Sequence, residues 1–205
     1  MTIEKVYSKR QQIRIYQQDI YPSETDVQIL LETAYKLVAS KQRLMPYSVY
    51  VLGPKQKQLK ETFYDMTTHT NSFNNTNAKA PYVLMFTPRL VYPPASIAKA
   101  MRKNAELYKT CDPNNFAGPQ QKMETAIEIG MFCKLLTGLC IEKDINVSYL
   151  LCFPDQLQDK RWDEEFKFLQ KQPVLFSMQL GYKAAPPILE AHEKPDVDEI
   201  IKWVV

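Results

Sequence analysis

The stretch AIEIGMFCKLLTGLCIEKDINVSYLLCF, residues 126–153, decides the architecture. From Ala126 to Ile141 only Glu128, Lys134 and Thr137 are polar, inside a helical pattern that runs over residues 120–143. A helix apolar nearly all round must be buried on most of its sides. In a chain of 205 residues the simplest solution is a central helix packed on a sheet and on a second subunit. Ile145 to Phe153 then reads as a strand.

Working outward, Ser23 is an N-cap with Asp26 three residues on, and Val27, Leu30, Leu31, Ala34, Leu37 and Val38 keep helical spacing to about Ala39. Tyr47 to Leu52 is β-branched and aromatic, hence a strand, and Tyr82 to Thr87 is a continuous apolar run that reads as a central strand. Between them a helix opens at Pro54, with Leu59, Phe63 and Met66 inward and Lys55, Lys57 and Lys60 on the wet face. The polar, Asn-dense residues 67–80 predict a loop, either a functional lid or an ordinary surface loop. Helices are predicted over 95–107 and 162–170, a strand over 174–182, and short helix or turn over 4–14. Thr110 to Pro119 reads as a turn region. Pro186, Pro187 and Pro195 exclude an ordinary helix or central strand after Lys183. An extended arm over 183–205 with an apolar tip from Ile200 to Val205 fits the embrace of a partner subunit. The whole reads as one α+β domain over 1–205, a mixed central sheet flanked by helices.

Composition is ordinary for a globular chain, with 45% hydrophobic and 24% charged residues, which excludes a disordered or coiled-coil class. The net charge of +3 is too small and scattered to argue for nucleic acid, and no run of apolar residues approaches a membrane span. A soluble, cytoplasmic protein is expected. Four cysteines without a CxxC, and only two histidines, exclude a zinc cluster. Cys133 and Cys140, seven apart on one helical face, read as buried inert thiols. The five glycines, at 53, 118, 130, 138 and 181, form no phosphate-cradling loop. A phosphorylated cofactor would therefore be held mainly by Arg and Lys side chains.

Several weak motifs, in order, resemble those of the nitroreductase family of FMN-dependent flavoproteins. Arg10-Gln11-Gln12-Ile13-Arg14-Ile15-Tyr16 resembles its N-terminal R-R-S-x-R-x-F/Y. Pro46 to Val51 resembles its P-W-x-F-x-V strand. The 124–141 helix with Ile145 to Tyr149 resembles its central dimer helix and G-L-x-S strand, with Asp144 in place of the glycine. Leu180-Gly181-Tyr182 and His192-Glu193-Lys194-Pro195 resemble the L-G-Y/H and K-x-R-x-P of its C-terminal arm. The resemblance implies a homodimer with exchanged arms. It implies FMN whose phosphate is held by Arg10, Arg14, Lys194 and His192, with Gln11 and Gln12 donating to phosphate or ribityl oxygens. Ser40 matches a family serine near the cofactor, and Arg43, in place of a family Asn, would donate to flavin carbonyls. The stretch Tyr149 to Phe153, with Leu151 and Cys152, would face flavin N5. Catalysis would be ping-pong: NADH or NADPH reduces the flavin, which then reduces a nitro compound, quinone or similar small acceptor, with no protein acid or base required. Two alternatives share the fold. One is a degenerate homodimer with weak or no flavin binding, acting as an interaction or regulatory module. The other is a specialised flavin enzyme such as a reductive dehalogenase or a flavin-fragmenting enzyme.

Overall fold

Every residue of Tyr82–Pro88 is buried, and this strand runs through the middle of a four-stranded sheet. The computed structural model describes residues 2–11, 13–40, 43–71, 74–92, 95–103, 119–151, 153, 159–184 and 196–201. The strands are β1 (Tyr47–Leu52), β2 (Tyr82–Pro88), β3 (Asn146–Leu150) and β4 (Phe176–Gly181), in the order β1-β2-β4-β3. The described helices are α1 (Ile3–Tyr7), α2 (Glu24–Leu37), α3 (Lys57–Asn71), α4 (Ala95–Lys103), α5 (Pro119–Glu142), α6 (Arg161–Glu164) and α7 (Val197–Ile200). The architecture is α+β, as expected. The sheet itself corrects one expectation: every pairing among the described strands is antiparallel, not mixed. Leu52 at the end of β1 faces Val83 at the start of β2, so α3 and its return bring the chain back to the end of the sheet it left.

The period of two in β2 builds two cores. Tyr82, Leu84 and Phe86 face α2 and α5, meeting Val27, Leu30, Ala34, Phe132, Leu136 and Cys140. Val83 and Met85 face the other way, onto Phe63 and Met66 of α3 and the Trp162, Phe166 and Leu169 segment. Helix α2 begins at the expected cap: the Asp26 amide donates to Ser23 Oγ at 3.0 Å. Helix α5 seats Ile129, Phe132, Cys133, Leu136 and Cys140 on the sheet. Burial pushes the Cys140 thiol up to about 12 and raises that of Cys133 further, in keeping with inert thiols. Its opposite stripe, Met123, Ile127 and Met131, is 57%, 54% and 40% exposed in the single chain.

Three expectations are corrected by packing. Residues 67–80 are not a plain loop: α3 continues to Asn71, and a 3-10 turn over Thr76–Lys79 buries Asn77 and Ala78. The 162–170 helix breaks into α6 and a 3-10 turn at Lys167–Leu169, with Trp162, Phe166 and Leu169 buried. Lys60 lies inside, not on the wet face. Its ammonium donates to the carbonyls of Ala80 at 3.0 Å and Pro81 at 2.8 Å, and burial, with Lys57 beside it, lowers its pKa to about 8. No helix among the described residues is long and apolar enough to cross a membrane. Residues 110–118 of the expected turn, the end of the 95–107 helix, most of the C-terminal arm and residues 202–205 of its tip lie outside the described residues, and Pro119 is the first residue of α5.

Two backbone positions show why the resemblance motifs carry the residues they do. Asp144 ends the turn after α5 with φ 55°, the left-handed conformation that glycine adopts freely. A Cβ at Gly181 would lie 2.8 Å from Pro81 Cδ and 2.9 Å from Tyr16 Cδ1. Gly181→Ala is therefore expected to cost about 1–3 kcal/mol of unfolding free energy, as overpacking does. Asp144→Gly is expected to add about 1 kcal/mol by relieving the left-handed strain. Urea unfolding of both variants measures the pair, and a stable Gly181→Ala protein would refute the close approach.

Candidate functional site

Ile13 is 2% exposed and pins the N-terminal segment to the body, so that Arg10 and Arg14 stand on its open side. Tyr16 continues the anchoring. It bridges to Lys183 beyond β4, and its hydroxyl donates to Ser148 Oγ at 2.9 Å. The Thr76 hydroxyl donates to the Arg14 carbonyl at 3.0 Å, which ties the 3-10 turn to the same segment. Between the segment, the turn and β3 lies a cleft of about 480 Å³, within the size range of small-molecule sites. Arg10 and Arg14 stand on one side, Asn75 and Asn77 on another, and Tyr149 and Leu151 on the third. The Arg10 guanidinium carbon lies 5.4 Å from the centre of the Tyr149 ring, a cation–π arrangement that holds the charge at the cleft. Burial raises the Tyr149 hydroxyl, so it stays a neutral donor, and it shares a short hydrogen bond with Thr137.

The floor of the cleft is a buried polar network. Asn77 Nδ2 donates to Ser148 Oγ at 3.4 Å and to Gln179 Oε1 at 3.3 Å, and the Ser148 hydroxyl donates to Gln179 Oε1 at 3.1 Å. Gln179 Nε2 in turn donates to Ser177 Oγ. Gln179 and Ser177 are fully buried, so these bonds fix the side chains that shape the cleft. The sequence reading missed Asn75, Asn77, Ser177 and Gln179. The signal was present in β4, where Ser177 and Gln179 alternate with Met178 and Leu180 and so share one face of an otherwise apolar strand.

Of the expected site residues, Arg10, Arg14 and Leu151 meet at this cleft. Gln11 lies beside it, in a smaller basin of about 280 Å³ that shares Arg10 and Val147, and its Oε1 accepts from Lys183 Nζ at 2.9 Å. Ser40 and Arg43 are placed elsewhere. The Ser40 hydroxyl donates to Glu128 Oε2 at 2.7 Å and accepts from the Met45 amide at 2.9 Å. Arg43, at φ 59°, lines a different cavity with Arg89 and Tyr47. Gln12, Cys152, His192 and Lys194 lie outside the described residues.

No family model and no curated protein matches the sequence. Solved structures do match the fold. The chain superposes on NfrA1 of B. megaterium with a TM-score of 0.70 and 14% identity, over 99% of this chain and 74% of that one. A nitroreductase-like protein from Streptococcus mutans gives 0.71 and 12% over 98% and 97%. A nitroreductase with bound FMN from Desulfitobacterium hafniense gives 0.67 and 16% over 100% of both chains. The chain has the nitroreductase fold. At these identities the likeness establishes the fold alone.

Two tyrosines give opposite expectations. Tyr16→Phe removes a buried hydrogen bond and is expected to cost about 1–2 kcal/mol. The Tyr47 hydroxyl is buried without a partner among the described residues, so Tyr47→Phe is expected to be neutral or to add up to about 1 kcal/mol. Burial raises the pKa of Tyr16, Tyr47 and Tyr82, the last to about 12, against an ordinary value of 10.0. Above pH 10 the unfolded chain releases protons that the folded chain keeps. Stability is therefore intact below that pH and falls as pH rises from 10 through 12. Denaturant midpoints across this range, with tyrosinate absorbance, check both points, and Tyr16→Phe should flatten the decline.

Proposed function

We propose that the cleft binds FMN and that the chain is an oxidoreductase passing electrons from NADH or NADPH to a small acceptor such as a nitro compound or quinone. The observation that carries the reading is the meeting of Arg10 and Arg14 at one cleft with β3 and Leu151, which follows it. The donor set suits the group. Two guanidiniums match a phosphate dianion by bidentate, charge-assisted bonds, and the five glycines fall at no phosphate-loop spacing. Ile13, Val147 and Leu151 give apolar surface for a planar ring, and the Asn75 and Asn77 amides lie beside it. The likeness to a nitroreductase structure with bound FMN supports the same reading. When bound, the flavin supplies the hydride chemistry; the protein binds it, orients it and tunes it. Arg10, Arg14 and the 151–152 backbone are its proposed ligands here, with Gln11, Gln12, His192 and Lys194 completing the phosphate end.

Ser40 and Arg43 do not line this cleft, so their proposed contact with a flavin is made from a second copy. The exposed stripe Met123, Ile127 and Met131 on α5 is the surface proposed to meet that copy, with the C-terminal arms exchanged. No acid or base of this chain is assigned a proton-transfer role. A cytoplasmic location follows the same proposal.

Each arginine contact is worth about 1.5–3 kcal/mol, so Arg10→Ala or Arg14→Ala is expected to weaken FMN binding roughly tenfold to a hundredfold. Quenching of flavin fluorescence on titration measures this. A wild-type protein that is colourless and ignores added FMN would instead support the non-enzymatic module. Ile127→Arg places a charge in the proposed seam and is expected to convert a dimer to a monomer in analytical ultracentrifugation. A dimer that persists would move the interface off α5.

A further inference from the structure

The cleft and the smaller basin beside it together hold more positive charge than one phosphate needs. Lys9, Arg10 and Lys183 line the basin, with Asp144 as its single carboxylate among the described residues. Lys9 Nζ reaches Asp144 Oδ1 at 3.5 Å, but the two side chains are 48% and 83% exposed, so the pair is loose and weak. Lys183 Nζ is held by the neutral Gln11 amide oxygen, which orients the ammonium without neutralising it. The Lys183 amide donates to Asn146 Oδ1 at 3.0 Å, and Tyr16 bridges to the same residue, so its backbone is fixed at the basin. Arg10 and Val147 belong to both cavities, which makes the cleft and the basin neighbours across one guanidinium. Three cations against one carboxylate leave two positive charges facing the basin. Arg10 is shared, since its guanidinium stacks on Tyr149 and serves the cleft as well, and Lys9 is the loose partner of Asp144, so Lys183 is the cation that the basin adds.

We propose that this basin is a second phosphate subsite, so that the site as a whole takes a ligand or ligand pair with a phosphate on each side of Arg10. The proposal rests on the flavin reading and extends it: a mononucleotide fills the cleft alone, whereas a second phosphate reaches Lys9 and Lys183. That phosphate has two chemical sources. One is the pyrophosphate of a flavin dinucleotide. The other is the phosphate of NADPH that NADH lacks.

Titration of the full-length protein with FMN and with FAD separates them, using wild type, Lys183→Gln and the conservative Lys183→Arg. If the source is the dinucleotide, FAD binds wild type at least as tightly as FMN. Lys183→Gln then weakens FAD roughly tenfold, Lys183→Arg restores it, and FMN moves less than about twofold. If the source is the donor, FMN and FAD are unmoved. With FMN bound, Lys183→Gln then weakens the binding of NADPH about tenfold and leaves that of NADH alone. Either pattern supports a second phosphate subsite. Lys183→Gln that changes none of these affinities while FMN still binds, or that weakens FMN and FAD alike, overturns the proposal and leaves the flavin reading standing. Failure of the wild type to bind either flavin overturns both.

Discussion

The two-sided burial of β2 is the constraint on which the molecule depends. A strand with no solvent-facing residue must be covered twice, and its alternation assigns Tyr82, Leu84 and Phe86 to one core and Val83 and Met85 to the other. The first core needs α2 and α5, and the second needs α3 and the Trp162 to Leu169 segment. Loss of one cover would expose a run of apolar side chains in the centre of the sheet. The ends of the strands inherit this rigidity. The cleft runs along β3 from Val147 to Leu150, a strand paired to β4, which in turn pairs with β2. Arg10 and Arg14 therefore face a wall set by the core, not by a mobile loop.

That dependence explains which parts of the structure were legible in the sequence. Long periodic or continuous apolar segments were read correctly: α5, β1, β2 and β4 lie within a few residues of their expected limits. Their burial is decided by their own composition. The misreadings fall where tertiary packing overrides a local signal. Asn75 and Asn77 belong to a polar stretch that looks like surface, yet one donates to the Thr67 carbonyl at 3.0 Å and the other joins the Ser148 and Gln179 network. Lys60 follows the helical spacing of an outer face. It is nevertheless turned inward by two carbonyls of Ala80 and Pro81, which need donors where the chain enters β2. For Asn77 and Lys60 the partner that makes burial tolerable lies 20 or more residues away in sequence, and a single-sequence pattern does not contain it.

The candidate site was legible in part for the same reason. Arg10 and Arg14 are four residues apart around Ile13, and the short segment anchored there brings both charges to one cleft. Ser40 and Arg43 belong to a turn whose conformation depends on Glu128 and Arg89. The Arg89 guanidinium donates to the carbonyls of Leu44 and Met45, and Arg43 and Met45 both adopt positive φ in that turn. These constraints aim the turn into a cavity beside α2 and β1, away from the cleft. Motif order along the chain says nothing of such a separation.

The separation has a consequence for assembly. Arg10, Arg14 and Leu151 share the cleft while Arg43 lines a different cavity of the same chain, so under the proposed function the contact from Arg43 is supplied by a second chain. Helix α5 bears on this directly. Its inner face is spent on the sheet, yet Met123, Ile127 and Met131 recur at a spacing of four and leave a second apolar stripe open. Two such stripes placed together would bury what each chain exposes, by the effect that already holds β2 between its two covers. The apolar character of α5 on all sides, the feature of the sequence that first suggested a sheet with a partner beyond it, is required by folding on one face and, under the proposed dimer, by association on the other.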